Sequence, residues 1–138
     1  MELFTYVNEW AVAGTAIFMV AVAMIWYSEY LFQSVWMRAV GLTVADLESA
    51  SPHMKRNFVI TFVSYVTAVF LIAVAIGYAQ TFGISVQYVA LLLATGFAAL
   101  LAGFVVWEQR SLTYYLVTVG FASTFIIGSS FLLYYWPW

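Results

Sequence analysis

Four stretches of this chain, residues 10–28, 57–79, 86–107 and 112–135, contain no acidic, basic or histidine residue. The eleven such residues, from Glu2 and Glu9 to Glu108 and Arg110, all fall between or outside them. An apolar run of roughly 20 residues is long enough to cross the ~30 Å hydrocarbon layer of a bilayer. Inside that layer each backbone amide must be paired within the protein, so these stretches predict helices and not open strands. Only 7% of the chain is charged, against about 25% in soluble domains, which leaves no water-facing surface for another solution. The expected fold is all-α: an integral membrane four-helix bundle forming a single transmembrane domain over residues 1–138, embedded in the lipid bilayer.

The connections sharpen this picture. Residues 80–85 and 108–111 are short enough to force antiparallel neighbours. The long connection, residues 30–52, has internal order. Phe32, Val35, Trp36, Ala39 and Val40 recur at helical spacing opposite Gln33, Ser34 and Arg38, which predicts a short amphipathic helix lying in the interface. Gly41 can end it in the left-handed conformation. Thr43, with Asp46 three residues on, is a capping-box variant that starts a second short helix from Val44 to about Ala50. Ser51 followed by Pro52 repeats the start signal and predicts that the span-two helix begins there. The acidic N-terminus lacks a basic n-region, so the first span reads as retained rather than as a cleaved signal. All four basic residues, Arg38, Lys55, Arg56 and Arg110, lie in the first and third connections, and the positive-inside rule then places both termini outside.

Candidate chemistry is sparse. A charge at mid-membrane depth is costly and marks ion or proton pathways; here every such group falls at a span end or in a connection. Glu29 and Glu108 lie at the same expected end, each behind a tryptophan. With Arg38 and Arg110 they form a candidate polar or ion-pair site, either as helix-end anchors or as a paired cation or proton site. Thr61, Ser64 and Tyr65 of span two either line a polar path or bond back to helix carbonyls. Ala90, Ala94, Ala98 and Ala102 recur at four-residue steps, with Gly96 and Gly103 on a neighbouring face, and Gly120, Thr124 and Gly128 repeat the pattern in span four. Such faces pack helices closely, within one protomer or between two. His53 stands without the ligand set a metal needs, so no metal or other cofactor is expected. The absence of cysteine excludes thiolate chemistry, and no basic patch supports nucleic-acid binding.

Two segments carry a family resemblance. Trp26-Tyr27-Ser28, Leu31-Phe32, Trp36-Met37 and Gly41-Leu42-Thr43 resemble the first signature of the bacterial membrane family "domain of unknown function 1761". Glu108, Arg110 and Ser111, followed by an apolar span with Gly120-Phe121, resemble its second. The resemblance implies a multi-pass protein of the bacterial inner membrane and implies no activity. The leading functional expectation is a non-enzymatic membrane protein, a homo-oligomer or an accessory subunit of a larger membrane complex. The alternative is a small oligomeric transporter or channel with Glu29 and Glu108 near its cytoplasmic mouth. A quinone- or lipid-handling enzyme has only the aromatic density in its favour.

Overall fold

The computed structural model describes residues 7–136. Six α-helices follow one another: α1 (Glu9–Trp26), α2 (Gln33–Val40), α3 (Val44–Ala50), α4 (Met54–Thr81), α5 (Val86–Trp107) and α6 (Leu112–Tyr134). Among the described residues there is no strand. Four of the helices, α1, α4, α5 and α6, are long and apolar enough to cross a membrane. Their up-down order gathers α2, α3 and all four basic residues at one end, the basic end, and leaves both described chain ends at the other, the terminal end.

Each boundary has a local cause. Asn8 caps α1, its Oδ1 accepting from the amides of Trp10 and Ala11 (2.9 and 3.1 Å). At α2 the amide of Leu42 donates to the carbonyl of Met37 (2.9 Å) across Gly41, whose φ is +75°. The end of α4 repeats this across Gly83, φ +70°, with Ile84 donating to Ala79 and Gly83 to Gln80, both at 3.0 Å. The end of α5 makes the same pair of bonds, Arg110 to Val105 and Gln109 to Val106, but with Gln109 at φ +53°. A side chain in that conformation costs roughly 1 kcal/mol or more relative to glycine. Gln109→Gly should therefore raise the unfolding free energy in detergent by about 0.5–1 kcal/mol; a loss of stability would mean that the Gln109 side chain has another role.

The start of α4 corrects the sequence reading. Ser51–His53 forms a single 3-10 turn, and the α-helix begins at Met54 rather than at Ser51 and Pro52. From there α4 runs 28 residues, roughly 42 Å at 1.5 Å per residue. That exceeds the ~30 Å hydrocarbon thickness of a bilayer, and Lys55 and Arg56 lie in the first turn of the helix at the basic end.

The sequence-based cap of α3 is present in detail. The Asp46 carboxylate accepts from the amide and the hydroxyl of Thr43 (2.7 and 2.6 Å), and the Asp46 amide donates back to Thr43 Oγ1 (3.3 Å). The Thr43 hydroxyl and amide hold the Asp46 carboxyl below its ordinary value. A lowered carboxyl pKa stabilises the fold above the unfolded-state value, and that contribution is lost as pH falls through the folded one. The α3 amide signals should therefore fray at acidic pH, and Asp46→Asn should remove the dependence. Equal fraying in the variant would rule out this cap as its origin.

In the bundle α6 is central: it packs against α1, α2, α4 and α5, while α1 also packs on α4. The core is built from Ala11, Val12, Ala16 and Met19 of α1, Val69, Ile72 and Ile76 of α4, Val86 and Val89 of α5, and Phe125 and Leu133 of α6. Three glycines make the close approach of α1 and α6 possible. A Cβ at Gly14 would lie 2.5 Å from the Trp136 ring, one at Gly120 would lie 3.1 Å from Trp26, and one at Gly128 would lie 2.8 Å from Met19. Trp26 and Met19 of α1 thus seat on Gly120 and Gly128 of α6, and Trp136, just beyond the end of α6, seats on Gly14 of α1.

Candidate functional site

A linked cluster of aromatic side chains lies at the basic end, where α1 stops and the chain turns into α2. Trp26 is the last residue of α1 and Tyr27 its C-cap. The turn is knotted by local bonds: the Tyr27 amide to Ala23, the Phe32 amide to Trp26 (3.1 Å) and the Ser28 hydroxyl to Ile25 (2.7 Å). This folds Phe32 onto Trp26, with ring centroids 4.7 Å apart, and Trp36 of α2 edge-on to Tyr27 at 5.4 Å. Both members of the Trp26-Tyr27 pair then reach Phe121 of α6, at 6.1 and 5.3 Å. Tyr65 of α4 joins from the other side, 6.3 Å from Phe121 and 4.8 Å from Phe125. Seven rings therefore tie α1, α2, α4 and α6 together. Offset and edge-on pairs of this kind add about 0.5–1.5 kcal/mol each beyond their area. Met37, the buried residue of α2, completes the seat of that helix on α6.

Two shallow grooves flank the cluster. One, of about 320 Å³, runs between α1 and α4 past Met24, Tyr27, Phe58, Thr61, Phe62 and Tyr65. The other, of about 450 Å³, lies beside α2 between Val35, Arg38, Ala39, Ser111 and Thr113.

The four expected charged residues do not assemble into one network. Glu108 and Arg110 pair with each other at 3.3 Å, both about half exposed, and the Arg110 guanidinium also lies 5.7 Å above the Tyr114 ring. An exposed pair of this kind is worth about 0–1 kcal/mol. Arg38 instead donates from Nε to the Ser34 carbonyl of its own helix (3.2 Å). Glu29 is exposed in the turn and forms no salt bridge to a described residue. The four residues share one end of the bundle, but Arg38 bonds its own helix, Glu108 and Arg110 pair with each other, and Glu29 stays exposed.

The span-two hydroxyls separate likewise. Thr61 and Tyr65 line the α1/α4 groove. Ser64 is exposed and bonds back to the Ile60 carbonyl (2.8 Å), so the three do not form one path. In α5, Ala90 and Ala94 are buried and Ala98 and Ala102 half-buried, and the Tyr115 hydroxyl of α6 donates to the Ala98 carbonyl (3.1 Å). In α6, Gly120 and Gly128 receive Trp26 and Met19, so that face is occupied within the protomer. Thr124 between them is exposed and donates to the Gly120 carbonyl (2.9 Å). Sequence reasoning missed the pairing of Gly14 with Trp136 and of Gly128 with Met19. The available signal was a glycine on one apolar helix opposite a bulky residue on its antiparallel neighbour.

The residues that carry the family resemblance converge on this junction. Trp26 seats on Gly120, Tyr27 meets Phe121, Gly41 ends α2, Thr43 caps α3, and Ser111 caps α6 by accepting from the Tyr114 amide (3.2 Å). Comparison with curated proteins and with solved structures gives no match. A family described as "Protein of unknown function (DUF1761)" matches residues 10–134, a range that includes both signature segments and all six helices but the first residue of α1. The chain belongs to the DUF1761 family.

Proposed function

We propose that this protein is a non-enzymatic membrane subunit that assembles through the outward face of α5, in the first instance with a second copy of itself. One observation carries the reading. Leu92, Gly96, Ala99, Gly103 and Val106 follow one another at steps of four, three, four and three residues, and all five are exposed. That alternation is the spacing of a left-handed helix–helix seam. A Cβ added at Gly96 or Gly103 meets nothing within 4 Å, whereas those at Gly14, Gly120 and Gly128 each meet a bulky side chain. The sockets inside the protomer are filled and the two on α5 are open. Only 17% of the most apolar stretch of α5 is buried, against 28% for α1 and α6. Helices in lipid gain association energy from close backbone approach rather than from apolar burial, which is what small residues at the centre of such a seam provide.

Further support comes from the polar groups. Five serine and threonine hydroxyls on the spanning helices bond their own backbone, and the one salt bridge among the described residues joins near neighbours. These are packing roles.

Native mass measurement in a mild detergent tests the reading. The 15.5 kDa chain should run at twice its mass, and the double substitution Gly96→Leu and Gly103→Leu should return it to monomer. A second polypeptide lost with the same substitutions would make the partner a larger complex. A monomeric wild type, or an assembly indifferent to both changes, would exclude the α5 face.

A further inference from the structure

One stripe of α4 changes character along its length. Phe58, Phe62, Tyr65, Val69, Ile72 and Ile76 follow at alternating steps of four and three residues, so they share one face of the helix. In the terminal half that face is core, with Val69, Ile72 and Ile76 buried. In the basic half it is uncovered: Tyr65 and Phe62 are half-buried and Phe58 is 55% exposed. The groove of about 320 Å³ lies over this open part, with Val20, Ala23, Met24 and Tyr27 as its α1 wall.

The groove is apolar but not without donors. Tyr27, Thr61 and Tyr65 line it, and their hydroxyls enter no hydrogen bond among the described residues. Ser64 and Thr67 of the same helix, outside the groove, are spent on their own backbone. Three residues before Phe58, Lys55 continues the stripe to the basic end, and Arg56 follows it. Neither forms a salt bridge to a described residue. Of the acids at that end, Glu108 is paired with Arg110 and Asp46 is held by Thr43. That leaves Arg38, Lys55 and Arg56 against Glu29 and Glu48, an excess of one positive charge.

A second helix does not suit this face. Helices in lipid approach one another through small residues, and here the stripe is Phe, Phe and Tyr. A lipid chain needs no close backbone approach, and basic pockets between spanning helices bind anionic headgroups. We propose that the α1/α4 groove is a binding site for an anionic phospholipid. One acyl chain lies over Phe58, Phe62 and Tyr65, the ester carbonyls accept from the groove hydroxyls, and the phosphate meets Lys55 and Arg56.

Native mass spectrometry of the full chain in detergent tests this, with added phosphatidylglycerol or phosphatidylcholine of identical acyl chains. Lipid is counted per chain, so the result does not depend on pairing through α5. The wild type should hold phosphatidylglycerol at least about fivefold more tightly than phosphatidylcholine. Lys55→Gln and Arg56→Gln should each cost about fivefold, the ~1 kcal/mol that a basic residue contributes beside anionic lipid. Thr61→Phe, at an exposed position of the groove wall, should fill the groove and abolish retention. Val63→Phe, exposed on α4 outside the groove, should leave it unchanged. Equal retention of the two lipids by the wild type, or phosphatidylglycerol retention unchanged in Lys55→Gln or in Thr61→Phe, overturns the proposal. The wild-type comparison decides the headgroup even if a variant does not fold.

Discussion

Trp26→Ala is expected to lower the unfolding free energy in detergent by about 3 kcal/mol, near the lower end of the range for large aromatic truncations. The indole sits where α1, the following turn and α6 meet, 4.7 Å from Phe32 and 6.1 Å from Phe121, with its six-membered ring over Gly120. Lipid is as apolar as the protein interior, so the transfer part of the usual penalty is small and the lost packing remains. The indole nitrogen is buried and donates to no protein atom. Removing it therefore strands no acceptor, and the change reads packing alone. Trp26→Phe should recover part of the loss. A loss below about 1 kcal/mol would mean that the aromatic cluster does not hold α1 and α2 on α6.

Gly120→Leu attacks the same contact from α6. A Cβ there already lies 3.1 Å from the Trp26 ring, and the rest of a leucine must displace an indole fixed by its neighbours. Overpacking of this kind costs about 1–3 kcal/mol, partly offset by the roughly 0.5–1 kcal/mol that glycine forfeits inside a helix. Gly128→Ala is the informative contrast. Its Cβ would come closer still, 2.8 Å from Met19 Cε, but that atom is the free end of a flexible side chain that moves cheaply. It should be neutral within about 0.5 kcal/mol, with the helix gain offsetting the adjustment. In a Trp26→Ala background the cost of Gly120→Leu should largely vanish, because the leucine fills the vacated space. The double-mutant cycle should then give a coupling above about 1 kcal/mol. Additive effects would show that the two residues do not meet.

Much of this architecture is legible in the sequence because lipid imposes simple rules. Charge-free blocks of spanning length become helices, and Gly41, Gly83 and the Thr43–Asp46 pair end and start them through local bonds that depend on neighbouring residues alone. The start of α4 was misread for a related reason. The serine-proline signal at residues 51 and 52 was satisfied by a 3-10 turn, which has the same onset, and the α-helix follows at Met54.

The site was less legible. Equal helix ends suggested that Glu29, Arg38, Glu108 and Arg110 would meet, but long exposed side chains settle on their nearest partner, Ser34 for Arg38 and Glu108 for Arg110. Small-residue periodicity marks faces on which helices can approach closely without saying which neighbour each face receives. That depends on the rotation of each helix about its axis, which is fixed by pairs such as Trp26 with Gly120 and Met19 with Gly128, far apart in the chain.

The central functional claim is that the open face of α5 meets a second copy of the chain. The protein contains no cysteine, so single cysteines can be introduced on a silent background and oxidised in native membranes. A cysteine at Gly103, or at Ala99, should give a disulfide-linked species at twice the chain mass. One at Leu116, exposed on α6 and not part of the α5 stripe, should not. Crosslinking at α5 with none at Leu116 is the predicted result; no crosslink at either α5 position, or equal crosslinking at Leu116, would contradict it.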